Sequence, residues 1–207
     1  MSILDNMERE PVAHVTRDSL MTLEAYARAR KEFRAKVMEH KKNRSVHLGS
    51  DVTLMFEDEL TMRYQIQEML RAEKIFEEEG IQDELDAYNP LIPDGGNLKA
   101  TMLIEYPDVD QRRRMLAKLK GLEKRVWIQA AGRERVYAIA DEDLEREDEE
   151  KTSSVHFLRF ELTSEMIQSL RNGAALVMGV DHPAYEIAGV SVAEAVRASL
   201  IKDLRDS

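Results

Sequence analysis

Between residues 99 and 189 the chain runs twice through one order of signals, and that repetition restricts its fold more than any other feature. Residues 100–105 read as a strand, 108–120 as a helix ended by Gly121, 125–129 as a strand, Ala131-Gly132 as a turn and 135–139 as a strand. Residues 155–162 then read as a strand, 164–171 as a helix followed by Gly173, 175–180 as a strand, Asp181-His182-Pro183 as a turn and 185–188 as a strand. Two strand–helix–strand–strand units in tandem, 99–140 and 154–189, point to an internal duplication or to two pseudo-equivalent halves sharing a sheet. The expected fold class is α+β, with a mixed or largely antiparallel sheet packed by helices. The run 141–150 joins the units and holds eight acids around Leu144 and Arg146, so self-repulsion makes it a solvated linker. It lacks the alternating acids and turn glycine of a calcium loop.

The first half adds helices. Residues 1–17 have little periodicity and contain Pro11, which suits an extended lead-in to a single domain over 18–207. Asp18 or Ser19 can cap a helix on which Leu20, Leu23, Ala27, Phe33 and Val37 recur until Lys41-Lys42-Asn43. Residues 46–56 read as extended around a Gly49-Ser50-Asp51 turn. A second helix runs from near Asp58 to Gly80, a short one from 81 to 88, and the proline- and glycine-rich stretch 89–96 is a loop. Val196, Leu200 and Leu204 mark one face of a C-terminal helix.

Within the second helix Met62, Ile66, Met69, Leu70 and Phe76 form an apolar stripe, and Glu73 falls on the same side. A carboxylate in such a stripe needs a basic partner, a proton or a metal. The favoured reading is an internal ion pair with Arg159, whose strand His156-Phe157-Leu158-Arg159-Phe160 is apolar enough to be covered on both faces, with Gln65 bonding into the pair. The sharper reading is a functional carboxylate. Glu68 is expected to be exposed and to pair with Arg71. In Asp181-His182-Pro183-Ala184-Tyr185, a histidine held by the preceding aspartate beside Tyr185 suits an acid–base pair, or a metal site with His47 or His156. Hairpin turns favour Asp and Pro for local reasons too, and a core histidine bonded to a carbonyl explains His156 equally well.

Composition removes several function classes. The 207 residues are 43% hydrophobic, enough for one well-buried core, and the formal charge of −10 argues against a nucleic-acid partner. Basic runs at 28–42 and 112–120 alternate with apolar residues as solvated helix faces do. The absence of cysteine rules out disulfides, thiol nucleophiles, iron–sulfur ligation and zinc-thiolate sites. No cofactor is expected, and a redox centre would need histidines and carboxylates or belong to a partner. No stretch approaches the ~20 apolar residues of a membrane span and the N-terminus lacks a signal pattern, so a cytoplasmic location is expected. Paired Glu-x-x-His motifs, His-Glu-x-x-His, a nucleotide-binding glycine loop and a Gly-x-Ser-x-Gly elbow are all missing, and Gly95-Gly96 sits beside prolines as a turn.

The stretch Gln65-Ile66-Gln67-Glu68-Met69-Leu70-Arg71-Ala72-Glu73, with Tyr88-Asn89-Pro90-Leu91-Ile92-Pro93, Phe157-Leu158-Arg159-Phe160 and Asp181-His182-Pro183-Ala184-Tyr185, resembles the bacterial domain-of-unknown-function family 3501 from about Asp18 onward. That family carries no assigned activity and so lends no catalytic residue. Its members are encoded near an iron–sulfur oxidoreductase and a rubrerythrin-like protein, so the resemblance implies a redox or peroxide-defence setting. The leading expectation is a non-catalytic accessory protein that binds such an enzyme through its acidic face or the 141–150 loop. The alternative is a small enzyme or metal-binding protein using Glu73, Arg159 and His182. Free sheet edges also make a homodimer an expectation.

Overall fold

A computed structural model describes residues 14–140 and 151–205; residues 1–13, the acidic run 141–150 and residues 206–207 lie outside it. Six α-helices and eight strands occur among the described residues. No helix among them is long and apolar enough to cross a membrane. Contacts group the chain into two compact units, one holding residues up to Met38 with Asp58–Ile92, the other Glu39–Glu57 with Pro93 onward.

The first unit is helical. Thr16 and Ser19 close a single 3-10 turn, with Thr16 N–H donating to Ser19 Oγ and Ser19 Oγ donating back to the Thr16 carbonyl. Helix α1, Leu23–Lys42, therefore begins later than the expected Asp18 cap, at Thr22, whose Oγ1 accepts from Ala25 N–H at 3.3 Å. Helix α2, Glu59–Glu73, starts on the Asp58 cap. It ends well before Gly80 because Lys74 takes the left-handed conformation (φ 56°) and Ile75 N–H bonds back to the Leu70 carbonyl. Helix α3, Glu78–Tyr88, then contains Gly80, where a Cβ would lie 2.8 Å from Ile75 Cγ2.

Tyr26, Phe33, Val37 and Tyr64 form this unit's core, with Phe33 edge-on to both tyrosines at 6.1 and 6.0 Å between centroids. Glu68, read from the sequence as exposed and paired with Arg71, turns inward instead. Its carboxylate accepts both Arg30 Nε and Nη2 at 2.7 Å and the buried Tyr26 hydroxyl at 2.5 Å. The Arg30 hydrogen bonds, joined by that of Tyr26, hold the Glu68 carboxyl down at about 2. A depressed folded-state value stabilises above the ordinary glutamate range near 4.3 and loses that contribution as pH falls toward 2. Glu68→Gln is therefore expected to be less stable than wild type at pH 7, with the gap closing between about pH 4 and 2. Urea melts followed by helical circular dichroism across that range check this, and a pH-independent gap counts against it.

The second unit carries two four-stranded antiparallel sheets. Strands β1 (Ser45–Leu48), β2 (Val52–Phe56), β3 (Asn97–Ile104) and β6 (Val155–Glu161) form one, in the order β1-β2-β3-β6. Strands β4 (Val126–Ala130), β5 (Val136–Tyr137), β7 (Leu176–His182) and β8 (Tyr185–Ser191) form the other, in the order β5-β4-β7-β8. The α+β class and the doubled strand–helix–strand–strand order are present, with α4 (Val109–Lys118) and α5 (Ser164–Arg171) as the helices. The halves share two sheets where one was expected. Each places its first strand in one sheet (β3 beside β6) and its other two in the second, with β4 and β7 central. Mutual hydrogen bonds of 2.8 and 2.9 Å between Ile139 and Arg159 bridge from the chain just past β5 to β6. One core takes in both sheets, Leu116 of α4, Met166, Ile167 and Leu170 of α5, and Val196 and Leu200 of α6 (Glu194–Ile201).

Candidate functional site

The residues singled out from sequence are divided between the two units, Gln65 and Glu73 in the first and Arg159, His182 and Tyr185 in the second. Glu73 is exposed at the end of α2, since the left-handed Lys74 stops the helix before the stripe can carry it inward, and Phe76 beyond it is 69% exposed. Arg159, in the other unit, pairs with Glu161 two residues along β6. Gln65 is half-buried, and the buried glutamine is Gln67, which accepts from Met21 N–H at 2.7 Å.

His182 is a strand residue, because β7 runs through it and the turn is Pro183-Ala184. Strand alternation then sends Asp181 and His182 to opposite faces of the sheet, so the aspartate does not hold the imidazole. Nε2 lies 3.1 Å from the Lys120 carbonyl, which can only accept, and Nδ1 accepts from Ala184 N–H at 3.2 Å. Both ring nitrogens are thus committed to backbone, with the proton on Nε2. His156 is buried with Nε2 2.9 Å from Thr152 Oγ1 and 3.0 Å from the Ser153 carbonyl. His47, exposed on β1, has Nδ1 3.0 Å from Thr53 Oγ1. Among the described residues no three His, Asp or Glu side chains are placed to hold a metal ion.

Tyr185 clamps two hairpins together. Its hydroxyl donates to the Leu48 carbonyl at 2.6 Å and accepts from Asp51 N–H at 3.2 Å. Gly49 between them has φ +79°, and a Cβ there would stand 2.5 Å from the Tyr185 oxygen, so both conformation and space require glycine.

The site-like constellation lies on the outer face of the second sheet. Val126, Ile128 and Ala130 of β4 enter the core, which leaves Trp127 on the opposite face beside Gly179 of β7. Its indole lies across two glycines: a Cβ on Gly179 would come within 2.3 Å of the ring and one on Gly189 within 3.5 Å. A bulge serves the same end, because Ala188 and Gly189 of β8 together oppose Gly179 in the register between Met178↔Val190 and Val180↔Ile187. Over the ring sits the Arg135 guanidinium, 3.9 Å from the centroid, so Trp127 is only 1% exposed although it faces away from the core.

Asp181 completes the group. Its Oδ1 accepts from Trp127 Nε1 at 3.0 Å and Arg135 Nη1 at 3.1 Å, and its Oδ2 accepts from Arg135 Nη1 at 3.0 Å and the Tyr137 hydroxyl. The Tyr137 hydrogen bond, then those of Trp127 and Arg135, hold the Asp181 carboxyl below the usual range. A carboxylate ionised and saturated with donors is a poor proton shuttle and a good anchor for cations. The side chain of Arg135 is 39% exposed and Tyr137 is 42% exposed, so the group meets solvent. The group is not legible in the sequence, since it needs the β4–β7 register. The available signals were the chain's single tryptophan and a glycine inside a strand pattern, which marks close approach of another group.

A family model described as a protein of unknown function (DUF3501) matches residues 14–204. A crystal structure of a novel protein of unknown function from Burkholderia pseudomallei K96243 superposes with a TM-score of 0.89 at 57% identity, covering 93% of this chain and 100% of that one. Among curated proteins none matches.

Proposed function

We propose, from the premise that this chain belongs to the DUF3501 family of proteins of unknown function, that it is a non-catalytic accessory protein binding a redox enzyme of the iron–sulfur or peroxide-defence kind. The observation that carries the binding role is the pair Trp127 and Tyr137 oriented by the Asp181 carboxylate, aromatic residues of the kind that dominate interface energetics, with Tyr137 exposed at the rim. Side chains suited to acid–base work are engaged structurally: His182 by two backbone groups, Tyr185 by a hairpin. The partner class follows from the redox setting that the family resemblance implies. A cysteine-free chain cannot hold an iron–sulfur cluster by thiolates and suits a role beside a protein that does. The formal charge of −10 favours a basic face on that partner.

Co-elution and titration calorimetry of the purified chain with the purified iron–sulfur oxidoreductase and with the rubrerythrin-like protein test the reading. One of them is expected to bind, and Tyr137→Ala to weaken that binding by about 2 kcal/mol, roughly 30-fold. Binding of neither enzyme discards the partner class. Unchanged affinity in Tyr137→Ala discards the contact surface.

A further inference from the structure

Arg135 fills its surroundings in the way a ligand fills a binding site. The guanidinium meets an aromatic face at 3.9 Å, an ionised carboxylate through two contacts of 3.0 and 3.1 Å, and a tyrosine whose hydroxyl orients that carboxylate. Stacking plus a fixed carboxylate is the arrangement by which proteins recognise guanidinium and alkylated ammonium groups from other molecules. The walls are costly to build, requiring a glycine inside β7, a bulge in β8 and Gly189 at φ +156°. The occupant is held lightly by comparison. It precedes β5, a strand of two residues at the sheet edge, and follows an exposed turn.

We propose that Trp127, Tyr137 and Asp181 form a guanidinium-binding box that Arg135 occupies in the free chain and that a bound protein's arginine occupies in its place. The inference rests on the binding role above and supplies its chemistry: the acidic chain attracts a basic partner face, and one arginine of that face displaces the internal one. A resident side chain competes at a high effective concentration, so exchange needs a partner with further contacts, and a lone arginine leaves the wild-type box closed.

This makes a prediction of unusual sign. If Arg135 touched the partner directly, removing it would weaken binding; if it is the competitor, Arg135→Ala binds more tightly. Trp127 is the chain's only tryptophan, so its emission reports the box without a label. N-acetyl-arginine amide, titrated into Arg135→Ala at constant ionic strength, is expected to change that emission saturably. Wild type and the Arg135→Ala/Asp181→Asn double variant are expected to stay flat, as is Arg135→Ala titrated with sodium chloride. A peptide bearing one arginine among neutral residues should bind Arg135→Ala at least tenfold more tightly than wild type. A flat Arg135→Ala titration, or an equal response in the double variant, overturns the box. An intact box with no gain for the peptide overturns the exchange. None of these probes involves a redox enzyme, so failure here is separable from failure of the partner class.

Discussion

Replacing Arg44 with methionine is expected to lower the free energy of unfolding by about 3–5 kcal/mol, the usual consequence of removing one member of a buried ion pair. Arg44 is 1% exposed, and its donors are spread over separate elements. Nε donates to the Phe56 carbonyl at 2.9 Å and Nη2 to the Glu57 carbonyl at 3.0 Å, while Asp203, beyond α6, accepts from Nη2 and Nη1. Phe56 N–H returns a bond of 2.8 Å to the Arg44 carbonyl, which extends the β1–β2 ladder by one pair. The guanidinium thus ties the C-terminal turn to the root of that hairpin. Methionine conserves much of the volume and none of the donors, removing the guanidinium's bonds to the Asp203 carboxylate, which is only 12% exposed, and to the Phe56 and Glu57 carbonyls. Urea midpoints of Arg44→Met, Asp203→Leu and the double variant measure this. The double variant should lose clearly less than the sum of the singles, because both single variants break the same interaction. An Arg44→Met midpoint close to wild type would show that the carbonyls and Asp203 find other donors.

Nothing about Arg44 distinguishes it in the sequence, where it follows a lysine-rich helix end, and that typifies what could and could not be read. Features set within one turn were legible: a helix start near Asp58 and another at 108, Gly121 and Gly173 after helices, and α5 at 164–171. A mixed or largely antiparallel sheet was legible in the doubled strand order, but its division into two sheets was not, because alternation shows which face is apolar and not which strand lies alongside. The Glu73 expectation failed for a local reason. Periodicity extends a stripe indefinitely, and a non-glycine residue in the left-handed conformation at Lys74 gives no compositional warning. Glu68 and Asp181 failed for a distant one, since their partners lie 38 to 54 residues away along the chain. Asp181-His182 misled differently. β7 continues two residues beyond the expected start of the turn, which put the two side chains on opposite faces and turned an apparent acid–base pair into a cation anchor and a core histidine.

Gly179→Ala tests whether the floor of the Trp127 box is built for the indole. Gly179 has an ordinary backbone conformation, so the added methyl brings no torsional strain and acts only through space. It would stand 2.3 Å from Trp127 Cζ2, 2.6 Å from Cε2 and 2.5 Å from the Ile187 carbonyl oxygen. The carbonyl belongs to the neighbouring strand and yields only if β8 shifts, while the indole yields only by lifting off the sheet. Overpacking of this kind costs about 1–3 kcal/mol, and two unyielding neighbours place this substitution at the upper end. Lifting the ring also breaks its bond to Asp181 and its stack with Arg135, leaving the carboxylate with fewer donors and the indole in water. Gly179→Ala should therefore melt earlier and emit at longer wavelength before melting, whereas Gly173→Ala, with nothing within 4 Å of its Cβ position, should melt earlier through its φ of +95° with the emission unchanged. Adding Trp127→Leu to Gly179→Ala relieves the clash with the ring and leaves that with the carbonyl, so recovery should be partial. Full recovery would assign the whole cost to the indole, and a Gly179→Ala protein with wild-type emission and stability would show that the glycine holds no space for it.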